Sequence, residues 1–276
     1  MPSFSTVTPP LILPPILPPI LPPIFLPVLP PITRQTALFL DFDGTLVELA
    51  ATPDAVRVMP GVVATLKTLQ HQLGGALAVV SGRKLTDLDA FLQPERFAAA
   101  AEHGAQRRNA LGQLSGVAPV DLQQALVAAQ ALVLQHPALL LEPKISSLSL
   151  HYRQAPELEA LCRATLQAAS QLGPGLELIV GKFVVELKPK SASKGSAIAD
   201  FMQETPFVGR QSIFAGDDVT DESGFKAAQS MGGQAIKVGD GVTLADYRCP
   251  GVADLLAWLD SAAVQLGQLS LKRATA

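Results

Sequence analysis

The residues best suited to chemistry are Asp41 and Asp43, in the stretch Asp41-Phe42-Asp43-Gly44-Thr45-Leu46. They follow a short apolar run, 36–40, which reads as a buried strand whose C-terminal end delivers two carboxylates. Alone, such a segment fits a solvated turn with a helix cap as well as it fits a site. A second acidic segment changes the balance. Gln211–Gly216 reads as another buried strand and ends in Asp217-Asp218-Val219-Thr220-Asp221-Glu222, four carboxylates in six residues. Acids at the strand ends of a parallel sheet meet in one crevice, where their repulsion demands a cation, and oxygen ligation with open positions suits Mg²⁺. Lys194 falls near the N-terminus of a helix marked by Ile198, Phe201 and Met202. A cation there opposes the helix dipole, which points to an anion as its partner. Ser81, at the end of the apolar run 76–80, can bond an anion or cap the helix that follows, and the two roles are compatible.

The elements that must hold these residues alternate. Pro60-Gly61 opens a helical pattern at Val62, Val63, Leu66 and Leu69, closed by Gly74-Gly75. The strand 76–80 leads into Ser81-Gly82-Arg83 and a helix marked by Leu85, Leu88, Phe91 and Leu92, and a third strand, 97–101, ends at Glu102-His103-Gly104. Strand, helix, strand, helix predicts an α/β fold with a Rossmann-like parallel sheet. Residues 109–187 differ: a helix over about 120–135, a strand over Ile145–Tyr152, a helix over 157–172, then short strands around 176–180 and 183–187 joined by Gly181-Lys182. That pattern predicts a separate α+β module inserted into the sheet domain. The expected organisation is a proline-rich, disordered head (1–35), a core domain (36–107 and 188–265), an inserted cap (108–187) and a flexible tail (266–276).

Composition excludes several function classes. The chain has 276 residues, 48% hydrophobic and 16% charged, and a net charge of −3 with no long run of either sign. That gives material for real cores and no footprint for nucleic acid or a membrane surface. Cys162 and Cys249 lack metal-ligand spacing and read as free thiols in a reducing, cytoplasmic compartment. Within residues 1–32, 12 are proline, repeating Leu-Pro-Pro-Ile with variations. Prolines that dense forbid a membrane-spanning helix, and no basic region or cleavage site marks a signal peptide. Polyproline II or disorder is expected, with translated repetitive DNA upstream of the functional start the favoured origin.

Four segments occur in order as in the haloacid dehalogenase (HAD) superfamily: Asp-Phe-Asp-Gly-Thr-Leu at 41–46, Ser-Gly-Arg at 81–83, Lys194-Gly195, and Gly-Asp-Asp-Val-Thr-Asp-Glu at 216–222. The form of the last, with Glu102-His103-Gly104, His151-Tyr152-Arg153 and Lys182, Glu186 and Pro189, resembles the trehalose-6-phosphate phosphatases over roughly residues 36–260. The resemblance implies Asp41 as nucleophile forming an aspartyl-phosphate, Asp43 as acid and base, and Ser81 and Lys194 holding the phosphoryl oxygens. It also implies Mg²⁺ held by Asp41, the Asp43 carbonyl and Asp217, with Asp218 and Asp221 ordering the waters around it. Thr45, Gly82, Arg83, Glu102, His103, Arg153, Lys182 and Glu186 would bind substrate, with Arg83 and Glu222 also candidates to support the site from behind. From the residues alone, Lys182 reads as a hairpin-tip lysine, Glu186 as an exposed strand acid, His151 as packed in the cap sheet, and His71 and His136 as surface residues. The implied reaction releases trehalose and phosphate from trehalose 6-phosphate, coupled in function to a trehalose-phosphate synthase. A phosphatase of sucrose or mannosylglycerate phosphate and a phosphohexose mutase share the catalytic motifs and remain alternatives.

Overall fold

The computed structural model describes residues 28–172 and 175–274. The expectations for residues 1–27 lie outside the described residues. The chain begins as an α/β unit: β1 (Thr36–Leu40), α1 (Val62–Gln72), β2 (Leu77–Val80), α2 (Leu85–Leu92) and β3 (Ala98–Ala101), followed by a hairpin of β4 (Gln106–Arg108) and β5 (Leu114–Gly116). An insertion then supplies α3 (Gln123–Gln135), β6 (Leu140–Pro143), β7 (Leu148–His151), α4 (Glu159–Leu172), β8 (Leu176–Gly181) and β9 (Val184–Pro189). The first unit resumes with α5 (Lys194–Phe201), β10 (Gln211–Gly216), α6 (Glu222–Ser230), β11 (Gln234–Val238), β12 (Tyr247–Cys249) and α7 (Val252–Ala274).

The larger sheet runs β12-β11-β10-β1-β2-β3-β4-β5, parallel from β12 to β3 and antiparallel at β4 and β5. Every residue of β1 and β2 is buried, so both faces are covered, as the continuous apolar runs require. Chain order runs outward in opposite directions from β1 and β10. Those strands pair with Leu40 opposite Ala215, which puts Asp41 and Asp217 side by side at the topological switch, where open α/β sheets bind ligands. α1 presents Val62, Leu66 and Leu69 to the core, and left-handed glycines at 74 and 75 turn the chain into β2. α5 starts at a capping box in which Ser193 and Ser196 exchange side-chain bonds with each other's N–H, leaving Lys194 as its first residue.

The inserted sheet, ordered β6-β7-β9-β8, is antiparallel throughout. Its period-2 pattern splits the residues between two faces. Leu148, Leu150, Val185 and Leu187 join Ala129, Leu132, Cys162 and Leu166 of α3 and α4 in a second apolar core. Ser149, His151, Val184 and Glu186 face the other way, over the strand ends of the larger sheet.

Four boundaries differ from the sequence expectation. β4 and β5 belong to the larger sheet, so the insertion follows residue 116 instead of starting at 108; Arg108 fixes that edge, donating to both Asp89 oxygens (2.8 and 2.6 Å) and to the Phe97 carbonyl. The expected flexible tail from 266 continues α7, with Leu266 buried in line with Leu255, Leu259 and Ala262. The end of the expected head is packed: Ile32 is buried, and the Trp258 indole donates to the Pro30 carbonyl at 3.1 Å. The strand expected from Ile145 begins at Leu148, because the N–H groups of Ile145 and Ser146 go to the Glu102 carboxylate instead of to a ladder. Among the described residues both cysteines are free, and no helix is long and apolar enough to cross a membrane.

Candidate active site

β1 delivers Asp41 and Asp43 on one side of its end while Phe42 turns into the core. The turn that follows needs Gly44. Its φ is +75°, and a β-carbon there would fall inside the Asp217 carboxylate, so only glycine lets β10's loop close against β1's. Lys194 joins the two loops, its ammonium donating to Asp41 Oδ1 and Asp221 Oδ1, both at 2.7 Å. Asp221 Oδ2 accepts the N–H groups of Asp217 (3.0 Å) and Asp218 (2.9 Å), which fixes the loop after β10. Lys237 of β11 donates to the Asp217 carbonyl.

The electrostatics of this group are lopsided. Asp41, Asp217 and Asp221 offer carboxylate oxygens within 4.8 Å of one another, and one ammonium, Lys194, lies among them. Burial, then the Asp221 charge, push Asp41 well above the usual carboxylate range despite Lys194. Burial and Asp221 also push Asp217 up to about 7. For Lys194 itself burial favours the neutral amine, but Asp221 and Asp41 outweigh it and hold the ammonium charged well beyond the usual lysine range. Two buried acids and a half-buried third around Lys194, with Lys237 reaching only the Asp217 main chain, leave room for further positive charge, and an all-oxygen donor set fits Mg²⁺.

Asp43 stands apart from that trio. Arg83 grips it with Nε to Oδ2 and an Nη2 to Oδ1, both 2.7 Å, while the guanidinium stacks over the Phe42 and Phe91 rings at 5.4 and 4.8 Å. Ser81, at the end of β2, is buried and its Oγ accepts the Arg83 N–H at 3.2 Å. The N-cap of the next helix is Lys84, so Ser81 is not its cap. Gly82 packs so closely on His103 that a β-carbon would come within 2.5 Å of Nε2.

Above these groups lies a cavity of about 380 Å³, walled by the inserted sheet. Asp41, Asp43, Ser81, Gly82, Arg83, His103, Arg153, Lys182, Glu186, Lys194, Asp217 and Asp218 line it, so the structure brings these sequence-predicted residues together. Four others are elsewhere, among them Asp221, fully buried behind Lys194 and the loop after β10. Thr45 is buried behind the acidic turn, and Glu102 is buried beneath the β6–β7 turn, where its carboxylate binds backbone instead of facing the cavity. Glu222 also lies off the cavity, accepting the Leu244 N–H.

Glu186 is buried rather than exposed. It receives Lys144 at 3.2 and 3.3 Å and lies 3.1 Å from His103 Nε2. Burial raises its carboxyl, yet Lys144 and His103 together hold it well below the usual range. Lys144 is correspondingly raised, with Glu186 and Glu142 outweighing its burial. His151 ends β7 in the cap sheet, as expected, but its ring faces the cavity, with Nε2 at 2.8 Å from Glu142 Oε2. Arg153 lies over the Phe183 ring at 5.1 Å, next to Lys182 at the β8–β9 tip.

Sequence reasoning missed Glu142, Lys144 and Ser149, which line the cavity, and Lys237, which holds Asp217. The signal for Ser149 was the alternation of Ser147, Ser149 and His151 with Leu148 and Leu150. Nothing local marked Lys144, which precedes a turn.

Comparison with known proteins agrees with this geometry. Residues 39–243 match the trehalose-phosphatase family model. The chain is 42% identical over 239 residues to trehalose-6-phosphate phosphatase of Escherichia coli, covering 86% of this chain and 90% of that one. It is 32% identical over 225 residues to the bifunctional trehalose-6-phosphate synthase/phosphatase of Thermoproteus tenax, covering 78% of this chain and 30% of that protein. A solved trehalose-6-phosphate phosphatase related protein superposes with a TM-score of 0.71 at 26% identity, over 84% of this chain and 98% of its own. With the acidic trio, the Lys194 bridge and the polar-floored cavity in place, the chain belongs to the trehalose-phosphatase family.

Proposed function

We propose that the protein hydrolyses trehalose 6-phosphate to trehalose and phosphate through an aspartyl-phosphate, with Mg²⁺ as cofactor. The observation that carries this reading is one cavity with a phosphoryl-transfer end, Asp41, Lys194 and Ser81, and a hydroxyl-reading end, Glu142, Lys144, Arg153, Lys182 and Glu186. Lys194 fixes the Asp41 carboxylate through Oδ1 and orients it for attack on phosphorus, which splits the hydrolysis into two easier steps. As the leaving oxygen departs, Asp43 gives it a proton, and in the second step Asp43 takes one from the attacking water. Both oxygens of Asp43 are held by Arg83, so proton transfer requires the carboxyl to exchange one of those bonds for the leaving oxygen. Lys194 and Ser81 bind the charge spread over the transferring oxygens.

Asp41 and Asp217, with the Asp43 main-chain carbonyl, would hold Mg²⁺, and Asp221, whose oxygens are taken by Lys194 and two N–H groups, would support them; the ion when bound supplies further positive charge for the phosphoryl group. The sugar end combines acceptors and donors, Glu142 and Glu186 with Lys144, Arg153 and Lys182, which suits a disaccharide dense in hydroxyls. In this reading the enzyme works in the cytoplasm and follows a trehalose-phosphate synthase, an activity that shares one chain with the phosphatase in the Thermoproteus tenax relative.

Phosphate release from trehalose, sucrose and glucose 6-phosphates and an aryl phosphate, with Mg²⁺ and with chelator, tests the reading. A Mg²⁺-dependent preference for trehalose 6-phosphate is expected. Preference for another sugar phosphate would overturn the substrate, and release without Mg²⁺ would overturn the cofactor.

A further inference from the structure

Glu102 is fully buried off the cavity, yet both carboxylate oxygens are in use: Oε1 accepts the N–H of Ile145 at 3.1 Å and Oε2 that of Ser146 at 2.7 Å. Its backbone is tied elsewhere. The Glu102 N–H donates to the Arg83 carbonyl and the His103 N–H to the Ser81 carbonyl, each at 2.9 Å. One residue therefore belongs by its main chain to the Ser81-Gly82-Arg83 loop and by its side chain to the turn between β6 and β7. Glu102 and His103 both lie in the left-handed region, at φ 48° and 56°, a conformation that residues with side chains hold only where their surroundings enforce it. Lys144 precedes the clasped pair. Its ammonium donates to the Gly82 carbonyl at 2.7 Å and to both oxygens of Glu186, which His103 Nε2 also approaches at 3.1 Å.

We propose that Glu102 is a positioning residue for leaving-group recognition, acting through Lys144 and Glu186 by holding the β6–β7 turn at a set distance from the phosphoryl-binding loop. This rests on the reading that the cavity's polar floor receives the leaving group. A carboxylate suits the task because it is an acceptor at both oxygens, whereas the amide of glutamine would turn an NH₂ toward one of the two N–H groups. The clasp gives the cap two unlike ends. Its β6–β7 turn is tied to the core by Glu102 and Lys144, while among the described residues no hydrogen bond or ion pair joins the β8–β9 tip, Gly181–Phe183, to the core.

The test is a cycle of Glu102→Gln, Lys144→Ala and the double variant, assayed for kcat and KM on the sugar phosphate that the wild type hydrolyses best and on p-nitrophenyl phosphate. Amide hydrogen exchange at Ile145 and Ser146 is read on the same proteins. Loss of one charge-assisted bond is expected to lower the sugar-to-aryl ratio of kcat/KM about tenfold in Glu102→Gln, chiefly through KM, and to speed exchange at the two amides. The double variant is expected to be no worse than Lys144→Ala alone, since Glu102 acts through Lys144. Multiplying effects, equal loss on both substrates or unchanged exchange would overturn the proposal. Glu102→Asp, which keeps the charge and shortens the reach, runs through the same cycle if the glutamine variant does not fold. A wild type that hydrolyses no sugar phosphate would refute the functional reading, and the exchange measurement would still decide the clasp.

Discussion

Replacing Lys194 by methionine keeps a long apolar stem and removes one positive charge from among Asp41, Asp217 and Asp221. The ammonium is 3% exposed and touches two of the three acids at 2.7 Å, so solvent screens little of the loss. Removing one partner of a buried ion pair costs about 3–5 kcal/mol. In a chain of this size 1 kcal/mol moves the melting temperature by about 2–4 °C, so the range is roughly 6–20 °C. Asp41 and Asp217 have raised proton affinities, and protonating either one relieves part of the excess charge, which places the expected fall in the lower half of that range. Mg²⁺, the proposed cofactor, would supply the missing charge and is expected to recover part of the drop. Thermal unfolding followed by circular dichroism near neutral pH, in chelator and then in Mg²⁺, reads both effects. Turnover should fall by about 10²–10³, the cost of deleting one donor to developing phosphoryl charge. A melting shift within about 2 °C in chelator, or turnover within tenfold of wild type, would refute the account of the acidic trio.

Gly44→Ala should fold and lose nearly all turnover, because its β-carbon displaces the Asp217 carboxylate and its φ of +75° is strained for alanine; melting and phosphate release together separate the two effects. Asp41→Asn should abolish turnover and melt no lower than wild type, since it removes one of three crowded charges; a clearly lower melting point would contradict the repulsion argument. Glu186→Gln carries a sign. Its carboxyl is held well below the ordinary 4.5, so the ionised group stabilises the fold above that value and the contribution is lost as pH falls through the depressed native value. The melting gap between wild type and variant should therefore be flat from about pH 8 to 5.5 and narrow below about 4.5. Deletion of residues 2–27 should leave turnover within about twofold, since the cavity is lined by residues from Asp41 onward.

The proposed phosphoryl-transfer end of the site was legible because each residue stands directly after a buried apolar run or at a helix start. Asp41, Ser81 and Asp217 terminate β1, β2 and β10, and Lys194 opens α5, so chain order and strand-end logic put them together. The proposed sugar-reading end was less legible. β6 is four residues long and ends in Pro143, too short and irregular to show a period, so Glu142 and Lys144 carried no local signal. Glu102 was readable as a candidate but not in its task, which depends on N–H groups more than 40 residues away in sequence. α7 did carry a signal, Leu255, Leu259, Ala262 and Leu266 at helical spacing, and that signal extends the fold through the expected tail.

The two faces of the cap sheet separate stability from selectivity. Leu148, Leu150, Val185 and Leu187 hold the module together under α3 and α4, while their strand neighbours Ser149, His151, Val184 and Glu186 look into the cavity. On the proposed reading, adjacent positions on one strand thus answer to different selective pressures, one to packing and one to the shape of the leaving group. Substrate preference can then drift by single substitutions at alternate positions without eroding the fold. The catalytic strand ends lie in the other sheet and need not change at all, so the same chemistry can be readdressed to a new alcohol by rewriting half of two short strands.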